Sequence, residues 1–187
     1  VKIALKNKPD KPINFFKNLN LDIYDEIIKD WNDINVLVAG CGTGQHAITT
    51  ASKYENAFVT AIDLSANSLS YAKRKADELK IENIEFVQID ILDLKNYRKE
   101  FNIIESVGVL HHMADPYKGW KILYDILSSN GLMMVGLYSE IARKHIKNIR
   151  DKIKEQKIKI NKNNILEFRE KIISSNNSDN KIVKESP

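Results

Sequence analysis

The residues of this chain that are best suited to bind a ligand form a glycine-rich segment. The apolar run Val36–Ala39 leads directly into the loop Gly40–Gly44, whose sequence is GCGTG. Alternate glycines permit backbone conformations that other residues avoid, and they let a ligand approach the main chain closely. A helix that follows such a loop begins with free N–H groups, which favour a carboxylate or a phosphate. The segment therefore predicts a ligand-binding turn rather than a plain tight turn.

Two carboxylates follow the next two predicted strands. Asp63 lies 21 residues after Gly42, where a carboxylate can accept hydrogen bonds from two ribose hydroxyls. Asp90 follows the third predicted strand and can accept a hydrogen bond from an exocyclic amine. Ligands of open α/β sheets bind at the carboxyl ends of the strands. We therefore expect both acids to face one crevice.

His111 and His112, at the end of the fourth predicted strand, are the candidates for proton transfer. A neutral imidazole can take a proton at pH 7. The alternative for both residues is a capping or packing role at the strand end. No other histidine or acid has ligand spacing with this pair, so no metal site is predicted. Cys41 is interpreted as a small residue between glycines rather than as a nucleophile.

The elements that must position these residues alternate between short apolar runs and amphipathic stretches. Helices are predicted over residues 66–79, with Ser65 as the N-cap, and over residues 116–128, with Asp115 as the N-cap. Asn130-Gly131 predicts a turn into the fifth strand. The predicted strands are Val36–Ala39, Phe58–Ile62, Ile84–Ile89, Ile103–Val109 and Leu132–Tyr138. Strand–helix alternation of this kind predicts a doubly wound, mostly parallel α/β sheet of at least five strands.

The two ends of the chain differ from this body. Residues 14–31 and 140–174 are predicted to be helical, and residues 143–187 carry a net charge of +7 against −3 for the rest. We therefore expect an N-terminal helical extension at 1–34, a core at 35–139 and a basic helical segment with a polar tail at 140–187. The chain begins with Val1 and shows no strand after Tyr138. These features suggest a fragment whose last sheet strands are missing or replaced by helices.

Composition excludes several classes of protein. The chain has 187 residues, of which 43% are apolar and 29% charged, as in an ordinary globular protein. Its single cysteine excludes an intrachain disulfide. No apolar run approaches the roughly 20 residues of a membrane span, and no signal peptide is visible, so a cytoplasmic protein is predicted. The basic run 143–162 lacks aromatic residues, which disfavours nucleic acid as a partner. The oligomeric state is left open.

Taken together, these motifs resemble the class I S-adenosylmethionine-dependent methyltransferases. The segment Glu105–Pro116, ESVGVLHHMADP, is similar to the stretch V-L-H-H-x-x-D-P that follows the fourth strand in many small-molecule methyltransferases of that class. The later segments GLYSEIARKHI and ILEFREKII resemble the bacterial methyltransferase domains attached to tetratricopeptide repeats. The resemblance implies a Rossmann-like enzyme that uses S-adenosylmethionine to methylate a small-molecule or protein acceptor.

The resemblance also implies roles for individual residues. The glycine loop would line the methionine part of the cofactor, Asp63 would hold the ribose, and Asp90 would meet the adenine amine. Many family members carry an acid two residues before the first loop glycine, whereas this chain has Val38 there. The implied cofactor-binding residues are Gly40, Cys41, Gly42, Gly44, Asp63, Leu64, Asp90, Ile91, Val107 and Val109, with His112 and His111 as the catalytic candidates.

Two other interpretations remain open at this point. The segment Gly42–Ala47 satisfies the G-x-G-x-x-A pattern of NAD(P)-dependent dehydrogenases, and Tyr117 and Lys121 have their Y-x-x-x-K spacing. That interpretation leaves Gly40 and Asp90 unexplained. The chain is alternatively a non-catalytic fragment that binds the cofactor or serves as a scaffold.

Overall fold

The structure, a computed structural model, describes residues 9–11, 14, 31–139, 141 and 143–174. Five strands form one sheet in the order β3-β2-β1-β4-β5, and every neighbouring pair is parallel. The strands are β1 (Ile34–Ala39), β2 (Ala57–Asp63), β3 (Ile84–Gln88), β4 (Phe101–Val107) and β5 (Leu127–Gly136). The helices between them are α1 (Gln45–Ala51), α2 (Ala66–Glu78) and α3 (Pro116–Asp125), with short 3₁₀ turns at Ile91–Asn96 and Leu110–His112. The predicted doubly wound α/β sheet is confirmed.

The strand order reverses between β1 and β4. The chain runs outward from β1 through β2 to β3, then crosses to the other side of β1 to form β4 and β5. In the register, Val38 of β1 pairs with Ala61 on one side and with Glu105 on the other. Crevices at such switch points open at the carboxyl ends of the strands. This is where the glycine loop leaves β1.

The central strands β1, β2 and β4 are buried on both faces, which explains their largely apolar sequences. Val36 and Val38 of β1 pack on the face covered by α1 and α2. Leu37 and Ala39 pack on the opposite face, together with residues of α3 and of both 3₁₀ turns. All four side chains are at most 2% exposed. The core therefore lies in two layers, one on each side of β1.

The predicted helix starts are confirmed in atomic detail. The Ser65 side chain accepts a hydrogen bond of 3.2 Å from the Ser68 N–H at the start of α2. Asp115 accepts one of 3.1 Å from the Lys118 N–H at the start of α3, where Pro116 occupies the first turn. Both caps satisfy backbone donors that have no partner within the helix.

The fifth strand departs from its prediction. It spans Leu127–Gly136 rather than Leu132–Tyr138, and α3 accordingly ends at Asp125 rather than at residue 128. The register with β4 shifts between the pair Phe101↔Leu127 and the pair Ile103↔Leu132. Asn130-Gly131, predicted as a turn before the strand, lies inside this irregularity. Extra residues in one of two paired strands are accommodated as a bulge, which sequence alternation alone does not reveal.

The fourth strand ends two residues earlier than predicted. Gly108 has φ +77°, a left-handed conformation that interrupts the extended chain after Val107. Its N–H donates to the Gly136 carbonyl at 2.9 Å, so the last pairing with β5 is kept. The residues that follow turn away from the strand direction into the 3₁₀ turn.

The chain divides into two units, Val1–Leu137 and Tyr138–Pro187. Where the structure describes it, the second unit contains two helices, α4 (Lys144–Glu155) and α5 (Lys162–Ser174), and no strand. The helix predicted over residues 14–31 lies outside the described residues, apart from Asn14 and Trp31. No helix in the described part of the chain is long and apolar enough to cross a membrane.

Candidate ligand-binding cleft

All three glycines of the loop after β1 adopt left-handed backbone conformations. The φ angles of Gly40, Gly42 and Gly44 are +81°, +53° and +83°. A Cβ on Gly40 would lie 2.3 Å from the Val109 side chain, and one on Gly44 would lie 2.4 Å from the Ala72 Cβ. Both glycines therefore permit close packing as well as the turn. A Cβ on Gly42 would meet nothing within 4 Å, so this glycine faces open space.

Asp63 fastens this loop to the end of β2. The carboxylate accepts a hydrogen bond of 2.8 Å from the Gly42 N–H on one oxygen and one of 2.9 Å from the Ser65 N–H on the other. The Gly40 and Cys41 N–H groups both donate to the Ile62 carbonyl at 2.9 Å. Each carboxylate oxygen offers about two acceptor positions, so Asp63 retains capacity for ligand hydroxyls.

A cleft of about 280 Å³ opens beside Asp63 at the carboxyl edge of the sheet. Seven of the residues singled out in the sequence line it: Gly40, Asp63, Leu64, Asp90, Ile91, Val109 and His112. The structure thus brings together residues from the loop after β1, the end of β2 and the segments that follow β3 and β4. The cleft places two carboxylates around a largely apolar space.

Asp90 has a local structural task in addition to its position in the cleft. Its side chain accepts a hydrogen bond of 2.8 Å from the Leu92 N–H and so caps the 3₁₀ turn Ile91–Asn96. The second carboxylate oxygen retains acceptor capacity. Ile91 is 6% exposed, whereas Leu64 is 66% exposed. Ile91 on one wall of the cleft is therefore part of the core, whereas Leu64 on the other wall is a largely exposed apolar side chain.

Five of the singled-out residues do not line the cleft: Cys41, Gly42, Gly44, Val107 and His111. The Cys41 side chain is buried, and burial together with the negative charge of Asp63 raises the pKa of its thiol to about 12. The thiol is therefore neutral at pH 7, which does not suit a nucleophile. Val107 is half exposed and lies against Gly136.

The two adjacent imidazoles are in contact. Their Nε2 atoms lie 3.1 Å apart, within hydrogen-bond distance, and the tautomers of the two rings set which one donates. His112 lines the cleft, whereas His111 does not. Among the described residues, no group of three or more His, Cys, Asp or Glu side chains is placed to hold a metal ion. The structure therefore places His112 at the cleft and in contact with His111.

The family is decided by a match over most of the chain. Residues 31–185 match the family model described as a methyltransferase domain. This chain belongs to the class I S-adenosylmethionine-dependent methyltransferases. The predicted family, fold and cofactor are thereby confirmed, and the family assignment favours this interpretation over a nicotinamide dehydrogenase.

Known methyltransferases resemble the chain over its core. A putative methyltransferase of Geobacillus sp. is 30% identical over 115 residues, which cover 59% of this chain and 45% of that protein. The (S)-coclaurine N-methyltransferase of Papaver somniferum is 28% identical, covering 62% of this chain and 32% of the enzyme. The structure of PKMT2 from Rickettsia typhi in complex with AdoHcy has the same fold, with a TM-score of 0.65 at 21% identity, covering 82% of this chain and 32% of that one. The chain spans under half the length of each of these proteins.

Sequence reasoning did not single out several residues that line the cleft, nor Glu105, which lies outside that lining. Ile89, Leu92, Met113 and Ala114 also line the cleft. Their positions beside Asp90 and His112 in the sequence were a usable signal, because residues next to a strand end share its crevice. Glu105 was missed for a different reason. It stands in an apolar run, and its partners lie far away along the chain.

Proposed function

We propose that the chain binds S-adenosylmethionine in the cleft beside Asp63 and transfers the methyl group to an acceptor that approaches Val109–His112. The observation that carries this proposal is the pairing of two carboxylates, Asp63 and Asp90, within one largely apolar cleft next to the glycine loop. We also infer that residues 35–139 form the cofactor-binding core.

The cleft has the chemistry that an adenosine group needs. Asp63 retains acceptor positions for the two ribose hydroxyls after binding the Gly42 and Ser65 N–H groups. Asp90 supplies an acceptor for the adenine amine, and Leu64 and Ile91 supply apolar surface for the ring. The residues present therefore fit the cofactor of the family.

We assign the methionine part of the cofactor to the glycine loop. The absence of a side chain at Gly42 leaves open space beside the main chain. Gly40, which lines the cleft and touches Val109, links this loop to the position of the acceptor. Cys41 and Gly44 contribute by shaping the loop. Val107 has a peripheral role in this proposal, because it lies outside the cleft lining.

The reaction demands little covalent help from the protein. When bound, the cofactor would supply an activated methyl group, with the sulfonium sulfur as the leaving group. Holding the acceptor in line with that bond and excluding water gives most of the acceleration. Where the acceptor must lose a proton, His112 is the candidate base, and His111 can carry the proton onward through the Nε2 contact.

For the acceptor we propose a small molecule or a protein. The names of two relatives, (S)-coclaurine N-methyltransferase and ubiquinone biosynthesis O-methyltransferase, support the first. Nucleic acid remains disfavoured, because the basic run 143–162 contains no aromatic side chain for base stacking. Cytoplasmic location stays a prediction.

Calorimetric titration with S-adenosylhomocysteine, with NAD as the parallel ligand, tests the proposal. Saturable binding of S-adenosylhomocysteine alone is the expected result. Binding of NAD alone would contradict the assigned roles of Asp90 and the histidine pair. If neither ligand binds, the chain acts as a scaffold or needs further sequence to complete the site, and the proposal fails for this chain.

A further inference from the structure

Glu105 is a buried carboxylate in the middle of the sheet. It belongs to β4, is 2% exposed and pairs in the register with Val38 of β1. Ile103 and Ile104 before it and Val38 beside it are apolar and buried. Moving a carboxylate into such surroundings is unfavourable unless close partners offset the lost hydration.

The partners of Glu105 both come from α1. The Thr50 hydroxyl donates to the Glu105 carboxylate at 2.7 Å, and His46 Nε2 lies 2.9 Å from the same oxygen. Burial tends to raise the pKa of Glu105, but the hydrogen bonds from His46 and Thr50 and the positive charge of Lys53 outweigh it and lower the pKa. The carboxylate is therefore ionised at neutral pH and ties one helix to the sheet.

This helix follows the glycine loop without a break. The loop is fixed at its start, where the Gly40 and Cys41 N–H groups bind the Ile62 carbonyl. At its other end it leads through Gly44 into α1, which the Glu105 carboxylate binds through Thr50 and His46 and which Asn83 also binds through the Ala51 carbonyl. Buried ion pairs are weak evidence for stability, since apolar residues of similar volume often stabilise a fold as well or better. A role in the ligand-binding site explains an acid at this position better than a contribution to stability does.

We propose that Glu105 is a positioning residue for the methionine end of the cofactor, acting through Thr50 and His46 on α1 and thereby on the glycine loop. Glu105 places a carboxylate on the strand adjacent to β1, beside Val38, which lies two residues before the first loop glycine. The inference rests on the proposed function, because it assigns the loop to the methionine group.

The test compares two ligands that differ only at that end. S-Adenosylhomocysteine carries the amino acid group, whereas 5′-methylthioadenosine lacks it. The Glu105→Gln variant is expected to bind S-adenosylhomocysteine about tenfold more weakly, the loss of one moderate polar interaction, while its affinity for methylthioadenosine stays within about twofold. A purely structural role of Glu105 would weaken both ligands alike or neither.

Glu85→Gln is the control at a more exposed position of the sheet. Glu85 also accepts a hydrogen bond of 2.7 Å from a threonine hydroxyl on a neighbouring strand, that of Thr60, but it lies outside the cleft. This variant is expected to bind both ligands as the unaltered chain does. An equal selective loss in Glu85→Gln would overturn the inference, because the effect would then not depend on α1.

A rescue experiment tests the position of the charge. In the double variant Val38→Glu with Glu105→Val, the acid moves across the register pair to β1, and the affinity for S-adenosylhomocysteine is expected to return. If the affinity for S-adenosylhomocysteine does not return, a carboxylate beside α1 is not sufficient to position the glycine loop.

If Glu105→Gln does not fold, Thr50→Val removes one hydrogen bond to Glu105 and is expected to show a smaller selective loss of affinity for S-adenosylhomocysteine. If the unaltered chain binds neither ligand, the proposed function has failed. If the unaltered chain binds both ligands and the variant loses affinity for both equally, only the positioning role of Glu105 has failed.

Discussion

Replacing Asp63 by Asn tests two tasks of one side chain. In the free protein, one Asp63 oxygen accepts the Gly42 N–H at 2.8 Å and the other accepts the Ser65 N–H at 2.9 Å. An Asn side chain has nearly the same shape but only one acceptor atom, and its NH₂ group would face the other N–H donor. The substitution therefore removes one of these two bonds whichever way the amide is oriented.

The magnitude follows from these contacts. A hydrogen bond to a charged acceptor contributes about 1.5–3 kcal/mol, and Asp63 is only partly buried, so we expect the free energy of unfolding to fall by about 1–2 kcal/mol. A further loss is expected on binding, because the amide is a weaker and less versatile acceptor for the ribose hydroxyls. A loss of about 1.4 kcal/mol or more corresponds to at least about tenfold weaker binding of S-adenosylhomocysteine.

Urea denaturation and calorimetric titration measure the two effects separately. Asp93→Asn is the control, since Asp93 lies on the 3₁₀ turn near the cleft, is exposed and does not line it. This control is expected to retain both stability and affinity. Unchanged stability of Asp63→Asn would refute the fastening of the glycine loop, and unchanged affinity in a folded variant would refute the ribose assignment.

Three further predictions concern the loop and its surroundings. Gly40→Ala is expected to lower the free energy of unfolding by about 1–3 kcal/mol in urea denaturation, because the new Cβ would lie 2.3 Å from Val109 at a φ of +81°. Adding Val109→Ala should recover only the part of this loss that comes from the clash with Val109. Full recovery of the unfolding free energy would show that the left-handed backbone at residue 40 does not strain an alanine. Burial and the charge of Asp63 raise the pKa of Cys41 to about 12. The stability that the buried, neutral Cys41 thiol contributes is therefore fully present below the ordinary pKa of a thiol and is lost as the pH rises toward 12. The difference in unfolding free energy between the unaltered chain and Cys41→Ala should therefore shrink between about pH 8.5 and about pH 11, and a constant difference would contradict the raised pKa. Tyr117→Phe should leave binding of S-adenosylhomocysteine unchanged in calorimetry, because Tyr117 is 82% exposed and outside the cleft, and a large loss would return attention to the dehydrogenase interpretation.

The amino-acid sequence by itself determined the local framework of the site. Strands buried on both faces are largely apolar, so the central strands β1, β2 and β4 were recognisable before their partners were known. The caps at Ser65 and Asp115 act within three residues, and the glycine loop and Asp63 adjoin strand ends. Each of these features depends on neighbours along the chain, and such features can be derived from the order of residues alone.

Only the tertiary structure decided which side chains meet across the sheet. Strand alternation places Val107 and Val109 on the same side, but the left-handed Gly108 breaks the alternation, and only Val109 reaches the cleft. Glu105 and Thr50 lie 55 positions apart and come together because β4 pairs with β1 and α1 packs on that face of the sheet. The crossover and the register set such contacts, and neither is specified by the pattern of any single element.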